Sequence, residues 1–230
     1  MIEEPPVLTL IEGFPRPTQA QIDALKGIPT GFVCDAMNGL GSLATQIAPI
    51  GPDIDCVAVG PALVADNGAA DILATLAAIE VAQAGDIVVA SVAGHRGCSA
   101  SGDQVMGMLK NRGAAGFVTD GPMRDYEGIV EVGLPAWCTG LNPNSPYGSG
   151  PGTVGGTAVV GGVSVSSGDL IVADRNGVVV IPHARIDAVI ARVAEVKALE
   201  DGLEAKVRNE GFCTPVDIQK MLAEGRAVKA

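Results

Sequence analysis

Apolar residues in this chain change spacing several times, and the switch points mark out the elements. Residues 56–65 (Cys-Val-Ala-Val-Gly-Pro-Ala-Leu-Val-Ala) form an apolar run of strand length. From Asp71 to Gln83 apolar positions fall at helical spacing, and Gly85 ends them. The stretch Gly85-Asp86-Ile87-Val88-Val89-Ala90-Ser91-Val92 is strand-like again. A Gly/His/Arg/Ser loop follows, and Gly102-Asp103-Gln104-Val105 opens a helix to about Arg112. A short apolar strand at 115–119 then leads into Asp120-Gly121-Pro122-Met123-Arg124-Asp125. Two strands joined by one helix predict a βαβ unit with parallel strands and a right-handed crossover. Asp103 then follows the first strand, and Arg124 with Asp125 follows the second. Both positions belong to the carboxyl edge, where open α/β sheets bind ligands.

The flanking segments are less regular. Residues 1–17 are broken by prolines and predict an arm. Thr18 and Gln21 have capping-box spacing for a short helix to about Lys26. Pro29 and Thr30 introduce a second helix carrying Asp35, which ends near Gly39 or Gly41. Pro135 to Thr139 predicts one more short strand. Residues 140–156, rich in Gly, Pro, Asn and Ser, read as a long loop, either a lid, binding or interface segment or a plain surface excursion. From Gly156 to Pro182 the pattern is all-β. Asn176-Gly177 is expected to supply the positive φ angles of a hairpin turn. Such strands cannot simply extend a doubly wound sheet, so two packed sheets plus helices are expected. Ile186, Val189, Ile190, Val193, Val196, Leu199, Leu203 and Val207 then outline an amphipathic helix of roughly 20 residues. Residues 185–230 form a C-terminal helical segment, whose last helix is signalled by Thr214 and Pro215.

Composition narrows the function classes. A chain of 230 residues suits one domain, and 47% apolar with 3% aromatic residues implies an aliphatic core. The formal charge of −11, without a Lys/Arg run, argues against nucleic acid or an anionic membrane as partner. Five scattered cysteines without a CxxC pair suit free thiols in a reducing compartment. The start Met-Ile-Glu-Glu-Pro-Pro lacks a signal-peptide pattern, and no uncharged run is long enough to span a bilayer; a cytoplasmic location is expected.

An acidic protein that takes an anionic substrate must meet it with local positive groups. The helix start at Gly102–Val105 presents free N–H groups suited to a carboxylate. Arg124 adds a planar fork for an oxyanion or carboxylate. Asp103 and Asp125 offer hard oxygen ligands suited to Mg²⁺ or Mn²⁺. The loop Gly94-His95-Arg96-Gly97-Cys98-Ser99 is either a further contact region or an ordinary exposed loop. Cys98 could act as a nucleophile only with an activating base.

Twenty residues, 104–123, separate Asp103 from Arg124, and Asp125 follows directly. This Asp-x20-Arg-Asp pattern, framed by Gly102-Asp103 and Asp120-Gly121-x-x-Arg124-Asp125, resembles the signature of 4-hydroxy-4-methyl-2-oxoglutarate aldolases. These enzymes belong to the family named after the regulator of ribonuclease activity A. The resemblance extends over roughly residues 30 to 210, through Gly60-Pro61-Ala62, Gly85-Asp86-Ile87-Val88-Val89, Gly161-Gly162-Val163, Gly168-Asp169-Leu170 and Ala173-Asp174-x-x-Gly177-Val178-Val179-Val180-Ile181-Pro182. A methyltransferase label also attached to such chains finds no Gly-x-Gly-x-Gly loop after the first strand to support a methyl-donor site.

The resemblance implies an α/β fold, a swivelling β/β/α layered sandwich forming one domain over 1–230. It further implies a homotrimer or dimer of trimers and metal-dependent class II pyruvate aldolase chemistry, with oxaloacetate decarboxylation as a side activity. Asp125 would bind Mg²⁺ or Mn²⁺, and Arg124 would hold the keto oxygen and stabilise the enolate. The backbone over Gly102, Asp103, Gln104 and Val105 would seat the substrate carboxylate, and Asp103 would orient water on the metal. Glu200, or Asp35, would complete a neighbouring subunit's site. Two other readings stay open: a non-catalytic regulator that binds a ribonuclease or helicase, and a related metal-dependent decarboxylase or hydrolase. Regulators in the family tend to lack the aspartate matching Asp103.

Overall fold

A computed structural model of the chain describes residues 6–229. Residues 1–5, the start of the predicted arm, lie outside the described residues. In chain order, β1 (Leu8–Leu10), α1 (Gln19–Leu25), α2 (Thr30–Ala36) and β2 (Ala48–Pro49) come first. Next are β3 (Ala58–Asp66), α3 (Leu73–Val81), β4 (Ile87–Ser91), α4 (Asp103–Asn111), β5 (Gly116–Thr119), α5 (Tyr126–Val132) and β6 (Ala136–Cys138). Then follow β7 (Gly152–Val154), β8 (Thr157–Val160), β9 (Val163–Ser166), β10 (Leu170–Asp174) and β11 (Gly177–Ile181). A 3₁₀ turn leads into α6 (Ile186–Glu210), and α7 (Ile218–Ala223) is last. The chain divides into two compact units, one ending at Val193 and one beginning at Ala194.

In the first unit β3, β4, β5 and β6 are parallel neighbours in sequence order, each joined to the next by one helix. Every right-handed crossover therefore moves the same way, which places α3, α4 and α5 on one face of the sheet; α4 contacts both other helices. The hairpin β8–β9 packs against β3 and β4. Covered in this way, β4 and β5 are buried along their full lengths, which explains their unbroken apolar composition. Phe117, Ile87, Met106, Leu109 and Trp137 are among the largest wholly buried side chains.

Of the strands late in the chain, β8 and β9 form the separate, packed second sheet that was expected, whereas β10 and β11 do not. β10 and β11 join the main sheet through β3, which gives it nine strands among the described residues. The reason is the length of β3. Its residues 58–61 pair with β10, whereas residues 62–66 pair with β4. The exchange of partners falls at Pro61, which has no N–H to donate to a ladder.

Sequence pattern also missed a pairing at the sheet edge. The predicted arm contains β1 and the predicted 140–156 loop contains β7, and the two pair in parallel from Leu8↔Gly152 to Leu10↔Val154. Each strand has three residues, too few for a two-residue period to register. At the β10–β11 turn the positive φ belongs to Gly177 (143°), and Asn176 is outside the left-handed region. The central turn residues are Arg175 and Asn176, because Asp174 pairs with Gly177. Asp174 organises this corner by accepting from Asn176 N (2.7 Å), Thr30 N (3.0 Å) and Thr30 Oγ1 (2.8 Å). Burial alone would raise its carboxyl, but these donors outweigh that and hold it below the ordinary aspartate value.

The predicted Thr18–Gln21 capping box is present, with both reciprocal hydrogen bonds made. α6 starts as predicted and runs for 25 residues. Ile186, Val189 and Val193 are buried in the first unit, whereas Leu199, Leu203 and Val207 in the second are exposed. The last helix is capped by Asp217, which accepts from Lys220 N at 2.9 Å. Thr214 instead accepts from Val216 N in a local turn, the alternative always open to a short hydroxyl side chain. Among the described residues no helix is long and apolar enough to cross a membrane.

The N-terminal segment is fastened by Arg16, whose Nη2 donates to the wholly buried Asp86 carboxylate at the start of β4. Asp86 also accepts from Gln83 N at 2.9 Å. Burial pushes the Asp86 carboxyl up, against the pull of the amide and the guanidinium. Arg16→Ala strands a buried charge, so unfolding at pH 7 should require about 3 kcal/mol less than for the unsubstituted protein. A raised carboxyl pKa means the penalty is relieved as pH falls and Asp86 binds a proton. Urea titrations at pH 7 and pH 5 should therefore show a smaller deficit at the lower pH.

Candidate active site

Beyond the ends of β4 and β5 the backbone continues as two loops that pair with each other. Ala100 N donates to Pro122 O at 2.7 Å, and Arg124 N donates to Ser101 O at 3.1 Å. This parallel bridge carries the sheet's order past the strands and aligns Gly102 with Arg124 and Asp125. The loop start is held by buried Asp120, which accepts from Val92 N (2.7 Å) and Gly94 N (2.8 Å). Burial pushes the Asp120 carboxyl up, and these two amides oppose that.

The two predicted acids come together, each packed on a glycine of the other's element. A Cβ on Gly102, the residue that precedes α4, would lie 2.6 Å from Asp125 Oδ2. A Cβ on Gly128, in α5, would lie 2.6 Å from Asp103 Oδ2. Only glycine admits both carboxylates. Arg124 reaches across the same space: Nε donates to Asp125 Oδ2 at 3.2 Å and Nη1 to Ser145 Oγ at 2.5 Å. Asp125 takes the left-handed conformation (φ 59°, ψ 48°) immediately before α5.

A cavity of about 80 Å³ is lined by Ile72, Ser99, Ser101, Gly102–Val105, Arg124, Asp125 and Pro146. That is far below the ~300–1,000 Å³ of drug-sized ligand pockets; it suits an acid of a few carbons. Gly102 provides no side-chain cap, so the amides of Asp103, Gln104 and Val105 at the head of α4 are free to take a ligand. All the residues predicted at the rim, Gly102, Asp103, Gln104, Val105, Arg124 and Asp125, are thus gathered around one small space. Asp35 is exposed on α2 and does not line it. Glu200 is exposed on α6 in the second unit.

Of the Gly94–Ser99 loop, Ser99 lines this cavity, whereas His95 and Arg96 do not. Arg96 borders another space with Asp120, Gly161 and Gly162, and its carbonyl accepts from Asn142 Nδ2 at 2.8 Å. Cys98 is buried, and burial pushes its thiol up, which opposes a nucleophilic role. A larger cavity of about 350 Å³ beside β1 is lined by Leu10, Ile11, Phe14 and Arg16, whose charge is already paired with Asp86.

Ser99, Ser101, Ile72 and Pro146 are lining residues the sequence reading missed. The predicted 140–156 loop is drawn over the site by Met123 N to Gly140 O (2.9 Å), Asn142 N to Met123 O (2.9 Å) and Ser99 N to Asn144 O (2.9 Å).

Known proteins resemble this chain in sequence and in fold. The model of the RraA-like family, described as Aldolase/RraA, matches residues 30–180. The chain belongs to the Aldolase/RraA family. A Halalkalibacterium halodurans protein provisionally named 4-hydroxy-4-methyl-2-oxoglutarate aldolase is 32% identical over 208 residues, covering 89% of this chain and 98% of that one. Streptomyces coelicolor RraAS2, described as an unusual member of the RNase ES inhibitor RraA protein family, superposes with a TM-score of 0.71 at 26% identity. That match covers 83% of this chain and 100% of the other. An uncharacterised Pseudomonas syringae protein shares the fold, with a TM-score of 0.76 at 24% identity over 89% and 94% of the two chains. The α/β layering of this Aldolase/RraA chain is therefore the family's own.

The far end of the covering loop is fixed by Asp71, which accepts from Leu73 N (2.8 Å), Ser149 N (2.7 Å) and Gly150 N (3.0 Å). Burial acts to raise its carboxyl, but these amides prevail and hold it below the ordinary value. A lowered carboxyl pKa gives a contribution present above the ordinary aspartate range, near pH ~4, and lost as pH falls through it. In Asp71→Ala the Ser149 and Gly150 amides should exchange with solvent at least about tenfold faster at pH 7. The unsubstituted loop should hold its protection at neutral pH and lose it only below about pH 4.

Proposed function

We propose that this Aldolase/RraA chain is a divalent-metal-dependent lyase that cleaves a 4-hydroxy-2-oxo acid to pyruvate and a second carbonyl product. Oxaloacetate decarboxylation would be a side reaction through the same enolate. The observation that carries this reading is that Asp103, Arg124 and Asp125 line one small cavity at the head of α4, each acid packed on a glycine of the other's element. The name given to the H. halodurans relative supports it.

Among the described residues no group of three or more His, Cys, Asp or Glu side chains converges. The donor set is thus Asp125 with Asp103 nearby, two hard carboxylates with room for water, which fits Mg²⁺ or Mn²⁺. When bound, the cation supplies Lewis-acid polarisation of the 2-keto group. The free amides of Asp103, Gln104 and Val105 seat the substrate carboxylate. Arg124 donates to the keto oxygen and stabilises the negative charge that develops as the C3–C4 bond breaks. Asp103 orients the water that takes the proton from the 4-hydroxyl; a proton returned to C3 then gives pyruvate. Glu200 would act from a neighbouring copy in a homotrimer or dimer of trimers.

The likeness to S. coelicolor RraAS2, a member of the RNase ES inhibitor RraA protein family, favours a second reading, a non-catalytic ribonuclease inhibitor. The presence of Asp103 in the cavity weighs against it.

Purified protein should release pyruvate from a 4-hydroxy-2-oxo acid or oxaloacetate, and EDTA should stop it. Arg124→Ala should lower kcat/KM by at least about 10²-fold. Release that is indifferent to both treatments would refute the lyase reading. Gly128→Ala should displace the Asp103 carboxylate and reduce kcat with the far-ultraviolet circular dichroism unchanged.

A further inference from the structure

One group at the cavity has no part in the scheme above. Ser101 is 1% exposed, and its Oγ has no hydrogen-bond partner. Among the described residues the other buried side-chain oxygen in that condition is Thr139 Oγ1, which does not line the cavity. Ser101 does line it, next to Gly102 and across from Arg124. A buried hydroxyl stripped of water and left without a partner is unfavourable, and a bound ligand that accepts its proton removes that cost. The backbone of Ser101 is already committed, since its carbonyl accepts from Arg124 N. Its hydroxyl is therefore held in place on a rigid, paired segment and still has a proton to give.

The surroundings specify what it can give that proton to. The first intrahelical bond of α4 runs from Met106 N to Gly102 O. The three preceding amides, of Asp103, Gln104 and Val105, thus have no acceptor within the helix. They and the hydroxyl make four donors on the same small space. A carboxylate, acceptor-only and with several lone pairs, matches such a set; a neutral ester or amide matches it poorly.

We propose that Ser101 is a substrate-binding residue, its Oγ–H donating to a carboxylate oxygen of the bound 2-oxo acid alongside the amides at the head of α4. The proposal rests on reading this cavity as an oxo-acid site. Within that reading it makes Ser101 a determinant of affinity for the 1-carboxylate, acting on ground state and transition state alike.

The test compares the full chain with Ser101→Ala and Ser101→Thr in Mg²⁺ buffer. Oxaloacetate is the substrate and oxalate the binding probe, followed by calorimetry and by thermal shift. Ser101→Ala is expected to raise KM and the oxalate Kd roughly tenfold, the scale of one charge-assisted hydrogen bond, with kcat within about twofold. Its melting temperature without oxalate should equal or exceed that of the unsubstituted protein, because the orphaned hydroxyl is gone. Ser101→Thr, which keeps the hydroxyl, should recover most of the oxalate affinity. KM and oxalate affinity unchanged in Ser101→Ala, with the unsubstituted protein active, would overturn the assignment and leave the lyase reading intact. A melting temperature several degrees lower with unchanged KM would make the hydroxyl structural and overturn it as well. An unsubstituted protein that neither releases pyruvate nor binds oxalate would sink both.

Discussion

Everything at the site depends on a short piece of backbone pairing that is not itself part of a strand. The bonds from Ala100 to Pro122 and from Arg124 to Ser101 tie two loops that a whole helix separates in the chain. The sheet brings them close by making β4 and β5 parallel neighbours; the bridge then fixes their register to the residue. A slip of one position would move Gly102 off Asp125 and seat a side chain where only a hydrogen fits. The third loop is positioned through the same segment, since Met123 both donates to Gly140 and accepts from Asn142. A small cavity with charged walls is thus defined by main-chain geometry before any side chain chooses a rotamer.

The acids of this region divide by location rather than by type. Asp86 at the start of β4 and Asp120 after β5 are buried, and both serve as anchors for backbone or for the N-terminal segment. Desolvation raises their carboxyls. Asp103 and Asp125 lie beyond the ends of the same strands, where water and ligands can reach them. One βαβ unit therefore carries two acids that hold it together and two that face its cavity.

Most of this frame was legible in the sequence, for identifiable reasons. The βαβ unit was visible because β4 and β5 are buried on both faces and so read as unbroken apolar runs. The rim residues were visible because Asp103, Arg124 and Asp125 are fixed to the ends of those runs. The edge pair β1–β7 was hidden, since three-residue strands rich in Gly and Thr carry no period and their pairing partner is more than 140 positions away. The branching of the sheet at β3 was hidden as well, because only the register reveals that one strand serves two sets of neighbours. Ser101 escaped because an orphaned hydroxyl is a property of three-dimensional surroundings, not of spacing.

The left-handed backbone at Asp125 has a consequence of its own. Aspartate enters that region more readily than most residues, yet it still gives up about 1 kcal/mol against glycine there. A redesign guided only by robustness would place glycine at this position and obtain a sturdier molecule without its acid. Mutational drift towards thermal hardiness and retention of chemistry are thus opposed at a single dihedral pair.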